Sequence, residues 1–302
     1  MFSIFILTHN EELDIAACIT SASALCDDII VVDSFSSDRT IEIAEGLAQR
    51  NPAIRIVQHA FESHGKQRTW MLQTIETKHP WVYILEADER MTPALFAECS
   101  AALASGEHVG YYAAERVMFM NKWIKHSTQY PRYQLRLLDK KYVWFDDYGH
   151  TEREVVNGSH GFLKETYPHY TCGKGFSRWI EKHNRYSTDE ARETVKQLSE
   201  GSVPWKDLVA GKTEIERRRA LKDFSLRVPG RPLVRFFYMY FVLGGILDGR
   251  AGFTWCVLQA FYEYLILLKV WELQNDQSIA PTGAIAGTPA KEQTKTTQSK
   301  AA

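Results

Sequence analysis

The first hundred residues repeat one pattern, a short apolar run followed by an amphipathic stretch, and this repetition limits the fold more than any other feature. Apolar runs at residues 2–7, 28–33, 54–58 and 81–85 read as strands. Between them, residues 11–25, 36–50 and 64–78 read as helices, the first with Asn10 as its expected N-cap and the second with Asp38 in its first turn. Thr92-Pro93 then supplies a cap and a first-turn proline for a further helix. Strands this short, alternating with helices, imply an α/β fold: a Rossmann-like, doubly wound, mostly parallel sheet covered on both faces.

Ligands of such sheets sit outside the carboxyl ends of the strands. Three polar clusters fall there: Thr8-His9-Asn10, Asp33-Ser34 and Glu86-Ala87-Asp88. The segment Trp81 to Glu89 is the most informative, because a buried strand delivers closely spaced carboxylates into a cleft. Carboxylate oxygens suit a hard cation, Mg²⁺ or Mn²⁺, which takes one or two protein carboxylates and completes its shell with phosphates. An acidic loop capping the next helix is the competing reading of Glu86 and Asp88. Lys66 and Arg68 could bind a diphosphate, Arg68 through bidentate geometry and Lys66 as a point charge; the competing reading is a solvated helix start.

Composition removes several classes. The chain has 302 residues, 45% hydrophobic and 24% charged, which is the composition of a globular protein. A formal net charge of −1 argues against nucleic acid as a partner held by bulk electrostatics. The five cysteines are scattered without metal or redox spacing, which suits a reducing compartment. Residues 1–7 carry neither a basic leader nor a cleavage site, so the expected chemistry is cytoplasmic.

After residue 109 the sequence becomes dense in aromatic and β-branched residues and reads as an antiparallel or mixed extension of the sheet; residues 173–195 read as mostly helical. From Lys212 to Arg235 there are eight Lys or Arg against three Asp or Glu. Two apolar stretches follow, residues 233–247 and 254–271. Basic residues beside aromatic-rich amphipathic helices suit a surface that lies on an anionic leaflet; a helical subdomain packed on the catalytic domain or on a second subunit is the alternative. The tail from residue 276 is expected to be disordered. The expected organisation is therefore an α/β domain over 1–200 that changes character between 108 and 109. A basic, amphipathic C-terminal region at 201–275 and the tail at 276–302 follow.

The run FILTHNEE, then DDIIVVDSFSSDRT, and the strand ending in LEADE resemble glycosyltransferase family 2, the inverting enzymes of GT-A fold. The later series from Gly149-His150-Thr151-Glu152 through His169-Tyr170 and Lys174-Gly175-Phe176-Ser177 to Lys182-His183-Asn184-Arg185-Tyr186-Ser187 resembles the branch that builds lipopolysaccharide core and exopolysaccharide. The resemblance spans about residues 1–272 and implies that the domain over 1–200 is catalytic, with 1–108 its nucleotide-sugar half and 109–200 its acceptor half. It implies that Thr8, Asn10 and Glu11 line the nucleotide site, that Asp33 accepts from the base with Ser34 beside it, and that Asp88, with Ala87 next to it, binds metal and diphosphate. The first acid of the family's D-x-D is Glu86 here, so Glu86 is expected to reach the metal or a sugar hydroxyl. Inverting transfer needs a base for the acceptor hydroxyl, and Glu152 or His150 occupies the comparable place. Arg136, His169, Lys182 and His183 are weaker candidates for acceptor or phosphate contact, since Trp179, His183 and Tyr186 also have the spacing of an ordinary packed helix face and Arg136 alternates with Gln134 along an expected strand.

The implied function is transfer of a sugar from a UDP- or other nucleotide-sugar donor to a lipopolysaccharide-core or lipid-linked polysaccharide acceptor. The implied place is the cytoplasm, at the inner face of the membrane, with oligomerisation open. Two alternatives remain: a non-catalytic GT-A-like scaffold, and a sugar nucleotidyltransferase, against which stands the lack of an early glycine-rich loop over residues 1–20.

Overall fold

Every residue of the second strand is buried, which only a strand covered on both faces can show. In the computed structural model, which describes residues 1–148, 151–199 and 230–275, the strands are β1 (Ser3–Thr8), β2 (Ile29–Asp33), β3 (Ile54–Gln58), β4 (Trp81–Glu86), β5 (Gly110–Phe119), β6 (Lys122–Trp123), β7 (Tyr133–Asp139), β8 (Val143–Tyr148), β9 (Thr151–Val156) and β10 (His160–His169). The main sheet runs β10-β5-β7-β4-β1-β2-β3, with β6 on β5; β8 and β9 form a separate hairpin. Strands β4, β1, β2 and β3 are parallel, with Leu7 level with Glu86 and Thr8 level with Asp33. β7 enters antiparallel between β4 and β5, and β10 closes the edge parallel to β5. The expected parallel sheet with an antiparallel extension is what forms.

Alternation along β1 sends Ile4 and Ile6 to one apolar layer, with Ile15 and Leu95, and Phe5 to the other, with Met71 and Leu72. Those layers are supplied by helices α1 (Ile15–Ser23), α2 (Thr40–Ala48), α3 (His64–Thr74) and α4 (Pro93–Ser105). Thr92 caps α4 as predicted, accepting from the Leu95 amide. The first helix starts later than predicted. Asn10 adopts φ 55°, a left-handed conformation that asparagine tolerates, and residues after it form a turn, so Asn10 is no N-cap.

Beyond the sheet come α5 (Gly175–Ser199), α6 (Arg231–Phe237), a π-helical turn at Tyr238–Val242, a 3-10 turn at Gly245–Asp248 and α7 (Gly249–Asn275). Asp248 ties this region to the loop after β6. Its carboxylate accepts from the amides of His126 and Ser127 at 2.9 and 2.6 Å and from Ser127 Oγ at 2.7 Å. Ala251 joins Val117, Phe119 and Ile124 in a small apolar cluster beside it.

The chain divides into two compact units, Met1–Tyr186 with Arg227–Tyr264, and Ser187–Leu226 with Leu265–Ala302. Among the described residues of the second, Lys269 donates to Ser187 and Thr188. The tail from 276 and the basic stretch over 202–229 lie outside the described residues, as does His150.

Candidate active site

The carboxyl ends of β1, β2 and β4 open into a cleft of about 1090 Å³. Thr8, at the end of β1, is buried, and its Oγ1 has no hydrogen-bond partner among the described residues although the residue lines the cleft. Glu11 Oε2 is likewise buried and unpaired, while Oε1 meets Lys174 Nζ at 2.5 Å. Burial pushes the Glu11 carboxyl up to about 7 against the pull of Lys174. Buried polar atoms left open on a cleft wall cost free energy that a ligand can recover.

Asp33 sits differently from the expectation. It is wholly buried and absent from the cleft wall. Its carboxylate accepts from the Ser36 amide at 2.9 Å, from Gln58 Nε2 at 3.0 Å and from Ser36 Oγ. Asp33 thus pins the turn that presents Ser34, which does line the cleft. Asn10 joins the same loop by accepting from the Ser37 amide at 2.7 Å.

Ser63 caps α3, and the helical period decides which cations face inward. Gln67 and Arg68 are buried and line the cleft; Lys66 points outward, pairs with Glu62 at 2.8 Å and is not brought to the cleft. Arg68 Nη2 donates to Glu86 Oε1 at 2.9 Å, and its Nε lies 3.1 Å from Glu152 Oε1. Burial raises the Glu152 carboxyl and Arg68 opposes that rise. Glu152 therefore stands behind Arg68, in contact with the site through that guanidinium.

At the end of β4, burial would raise Glu86, but Arg136 and then Arg68 outweigh it and hold the carboxyl below its ordinary value. Arg136 is wholly buried beneath the site, donating to Glu89 Oε1 at 2.5 Å, Tyr167 Oη at 3.1 Å and the Ile84 carbonyl at 3.2 Å. It cannot contact an acceptor or phosphate from there. Asp88 faces the cleft with its Oδ2 3.3 Å from His169 Nε2, and His169 Nδ1 lies 2.9 Å from Glu115 Oε2. Burial disfavours a charged His169, yet the two carboxylates hold its pKa well above the usual value; that charge keeps Asp88 below its own.

Helix α5 forms the opposite wall, with Arg178, Lys182 and Arg185 lining it. His183 stacks on Trp179 at 3.6 Å and donates from Nδ1 to the Trp179 carbonyl, 2.8 Å away, so it packs the wall. A carboxylate floor beneath a cationic wall suits a diphosphate with a divalent cation. Among the described residues no three His, Cys, Asp or Glu side chains gather as a metal cage. Asp88 and Glu86 instead offer the one or two oxygen ligands that Mg²⁺ or Mn²⁺ takes beside phosphate, so the donor set fits. Sequence reasoning assigned no site role to Lys174, Arg132, Arg178 or Trp255, all on the cleft wall; Lys174 was legible only as the first residue of its Lys-Gly-Phe-Ser run.

A parallel half ending in carboxylates, an antiparallel extension and a C-terminal helix define an α/β fold of the GT-A class. The pattern described as Glycosyl transferase family 2 matches residues 3–153, and the chain belongs to that family. It is 26% identical over 283 residues to an uncharacterized glycosyltransferase of Rickettsia bellii, covering 90% of this chain and 86% of that one. It is also 26% identical over 272 residues to the lipopolysaccharide core biosynthesis glycosyltransferase LpsC of Rhizobium meliloti, covering 89% and 92%. Among solved structures, the mannosyltransferase PcManGT of Pyrobaculum calidifontis, in complex with GDP-Man and Mn²⁺, is 14% identical with a TM-score of 0.50, covering 90% and 87%; this likeness concerns the fold.

Proposed function

We propose that this glycosyltransferase moves one sugar, with inversion, from a nucleotide-sugar donor to a saccharide of the lipopolysaccharide core or of a lipid-linked polysaccharide. The observation that carries the reading is the cleft at the strand ends, where Asp88 and Glu86 face the cations of α5. Membership of the family supports glycosyl transfer, and the relation to LpsC supports the acceptor class.

In this reading Thr8, Glu11 and Ser34 contact the nucleotide, whose loop Asp33 and Asn10 hold in shape. Asp88, with Glu86 beside it, would hold Mg²⁺ or Mn²⁺, which when bound neutralises charge growing on the diphosphate. Lys174, Arg178 and Lys182 face the same phosphates from the other wall. Glu152, whose buried Oε2 has no hydrogen-bond partner among the described residues, is the base for an acceptor hydroxyl that reaches past Arg68, with His150 the alternative; burial has increased the proton affinity of Glu152, which suits that task. Arg68 positions both Glu86 and Glu152 and so couples donor and acceptor sides.

In this reading the work falls at the inner face of a membrane. Supporting this are the exposed apolar side chains of α6, the turns after it and α7, among them Leu233, Phe237, Phe241 and Leu247. The stretch Gly245–Asn275 is long and apolar enough to cross a membrane by length and composition, but Arg250, Glu263 and Lys269 within it favour a helix lying at the interface.

A melting screen against UDP- and GDP-sugars with and without Mn²⁺ tests the donor site. A ligand at 100 times its dissociation constant adds about 2.7 kcal/mol of stability. Asp88→Asn should remove the metal-dependent part of that gain and lower turnover on the order of 10²-fold or more. Near-normal turnover in Asp88→Asn would overturn the assignment.

A further inference from the structure

Beside the cleft lies a second, smaller pocket of about 200 Å³, and the two share Arg132, His169, Thr171 and Trp255. Gln129, Arg235 and Gln259 line it as well. The charge within it does not balance. Glu115 is the one carboxylate on its wall, and both of its oxygens are taken: Oε1 by Arg132 Nε at 2.7 Å and Oε2 by His169 Nδ1 at 2.9 Å. Asp248, close behind Ser127, is likewise satisfied by His126 and Ser127. Arg235 has no acidic partner among the described residues, and its Nε is buried without a hydrogen bond. Thr171 Oγ1, on the shared wall, is buried and unpartnered as well.

A half-buried guanidinium whose Nε is shut off from water and unpaired is left short of an acceptor, and a forked donor of this kind is matched by phosphate or carboxylate oxygens. The pocket is too small for a nucleotide sugar but has room for one anionic group and its immediate surroundings. His169, the residue against Asp88, lines both spaces, so a molecule seated in the smaller one lies close to the transfer site. Arg235 rises from α6, the helix whose Leu233, Val234 and Phe237 are exposed.

We propose that this pocket is an acceptor subsite for a phosphate or carboxylate group carried by the acceptor saccharide, with Arg235 as its ligand. The inference rests on the glycosyl-transfer reading and names the acceptor class as anionic.

The test uses the full chain with its donor cleft saturated by the nucleoside diphosphate that gives the larger melting shift, in Mg²⁺, so that added anions cannot enter the cleft. Inorganic phosphate and glucuronate are titrated separately while tryptophan fluorescence is followed, Trp255 lining both spaces. A saturable change with either probe is expected; the probe that gives it tells phosphate from carboxylate. Arg235→Gln should weaken that binding at least about tenfold, Arg235→Lys should retain part of it, and both should bind nucleotide as the wild type does, which also shows that they fold. Trp255→Phe should lose the signal. No saturable response of the wild type to either probe, or unchanged affinity in Arg235→Gln, would overturn the subsite. Anion binding without any nucleotide binding would instead sink the donor reading and leave the pocket standing.

Discussion

Glu11 holds its proton against the usual preference of a carboxyl group. Burial raises it from 4.5 to about 7, Asp88 and Asp14 add to the rise, and Lys174 only partly offsets it. With the folded value above the unfolded one, the folded chain binds a proton between pH 4.5 and 7 that the unfolded chain has released. Stability from this group is therefore fullest below 4.5 and falls as pH rises through 7. The displacement corresponds to about 3 kcal/mol. Other groups titrate in the same range, so the informative quantity is the difference in denaturation free energy between wild type and Glu11→Gln. That difference should move against the wild type by about this amount from pH 4.5 to 7.5 and then level off; a flat difference would show that Glu11 is not perturbed. Nothing in the sequence around Glu11 announces this behaviour. Its partner Lys174 lies 163 residues away, and the desolvation comes from the assembled cleft. Arg136 is a similar case: an Arg alternating in a strand looks like a cleft contact, and only the fold shows that it faces Glu89 in the interior.

In the proposed reading α3 links the donor and acceptor sides, and its seat on the β8–β9 hairpin depends on Gly65. A Cβ at Gly65 would lie 2.7 Å from Asp147 Oδ1 and 2.8 Å from the Asp146 carbonyl carbon. Backbone cannot yield as a flexible side chain can, so the hairpin must move, and Asp147 is paired directly across from Glu152. Gly65→Ala should cost about 1–3 kcal/mol in denaturant unfolding and lower turnover more than it changes nucleotide binding. Gly46, in α2 with open space around it, is the control: Gly46→Ala should stabilise by about 0.4–1 kcal/mol with turnover unchanged. Equal effects of the two substitutions would remove the packing argument. At this scale the sequence was most readable where one rule dominates. The strands β1, β2 and β4 are unbroken apolar runs and were placed within a residue or two. Less readable was whatever depends on a partner. The start of α1 slipped because Asn10 is claimed by the Ser36–Ser37 turn. Lys66 and Arg68 looked equivalent until the helix met the sheet and turned only one of them inward. The parallel pairing of β10 with β5 joins segments about fifty residues apart, and the same alternation of side chains would have served an antiparallel edge equally well.

The whole molecule raises the question of what covers the apolar side chains of its C-terminal helices. Phe237, Phe241 and Leu247 are 55%, 56% and 67% exposed, and they belong to consecutive turns rather than to scattered positions. A contiguous apolar surface of this kind marks an interaction site. The sequence leading into it carries Arg217, Arg218, Arg219 and Arg227, a charge that complements an anionic lipid surface at about 1 kcal/mol per residue close to it. Each large apolar side chain moved from water into the lipid boundary adds about 1.5–3 kcal/mol. The expected behaviour is binding to vesicles containing phosphatidylglycerol, weaker binding to neutral vesicles, and partial release by salt, since the apolar part is insensitive to screening. Phe237→Ser, Phe241→Ser and Leu247→Ser combined should reduce vesicle binding at least about a hundredfold while leaving the nucleotide-dependent melting shift intact. If the wild type stays in solution beside anionic vesicles at low salt, the membrane reading fails. If the triple variant instead changes from a dimer to a monomer in light scattering, the surface belongs to a second copy of the chain.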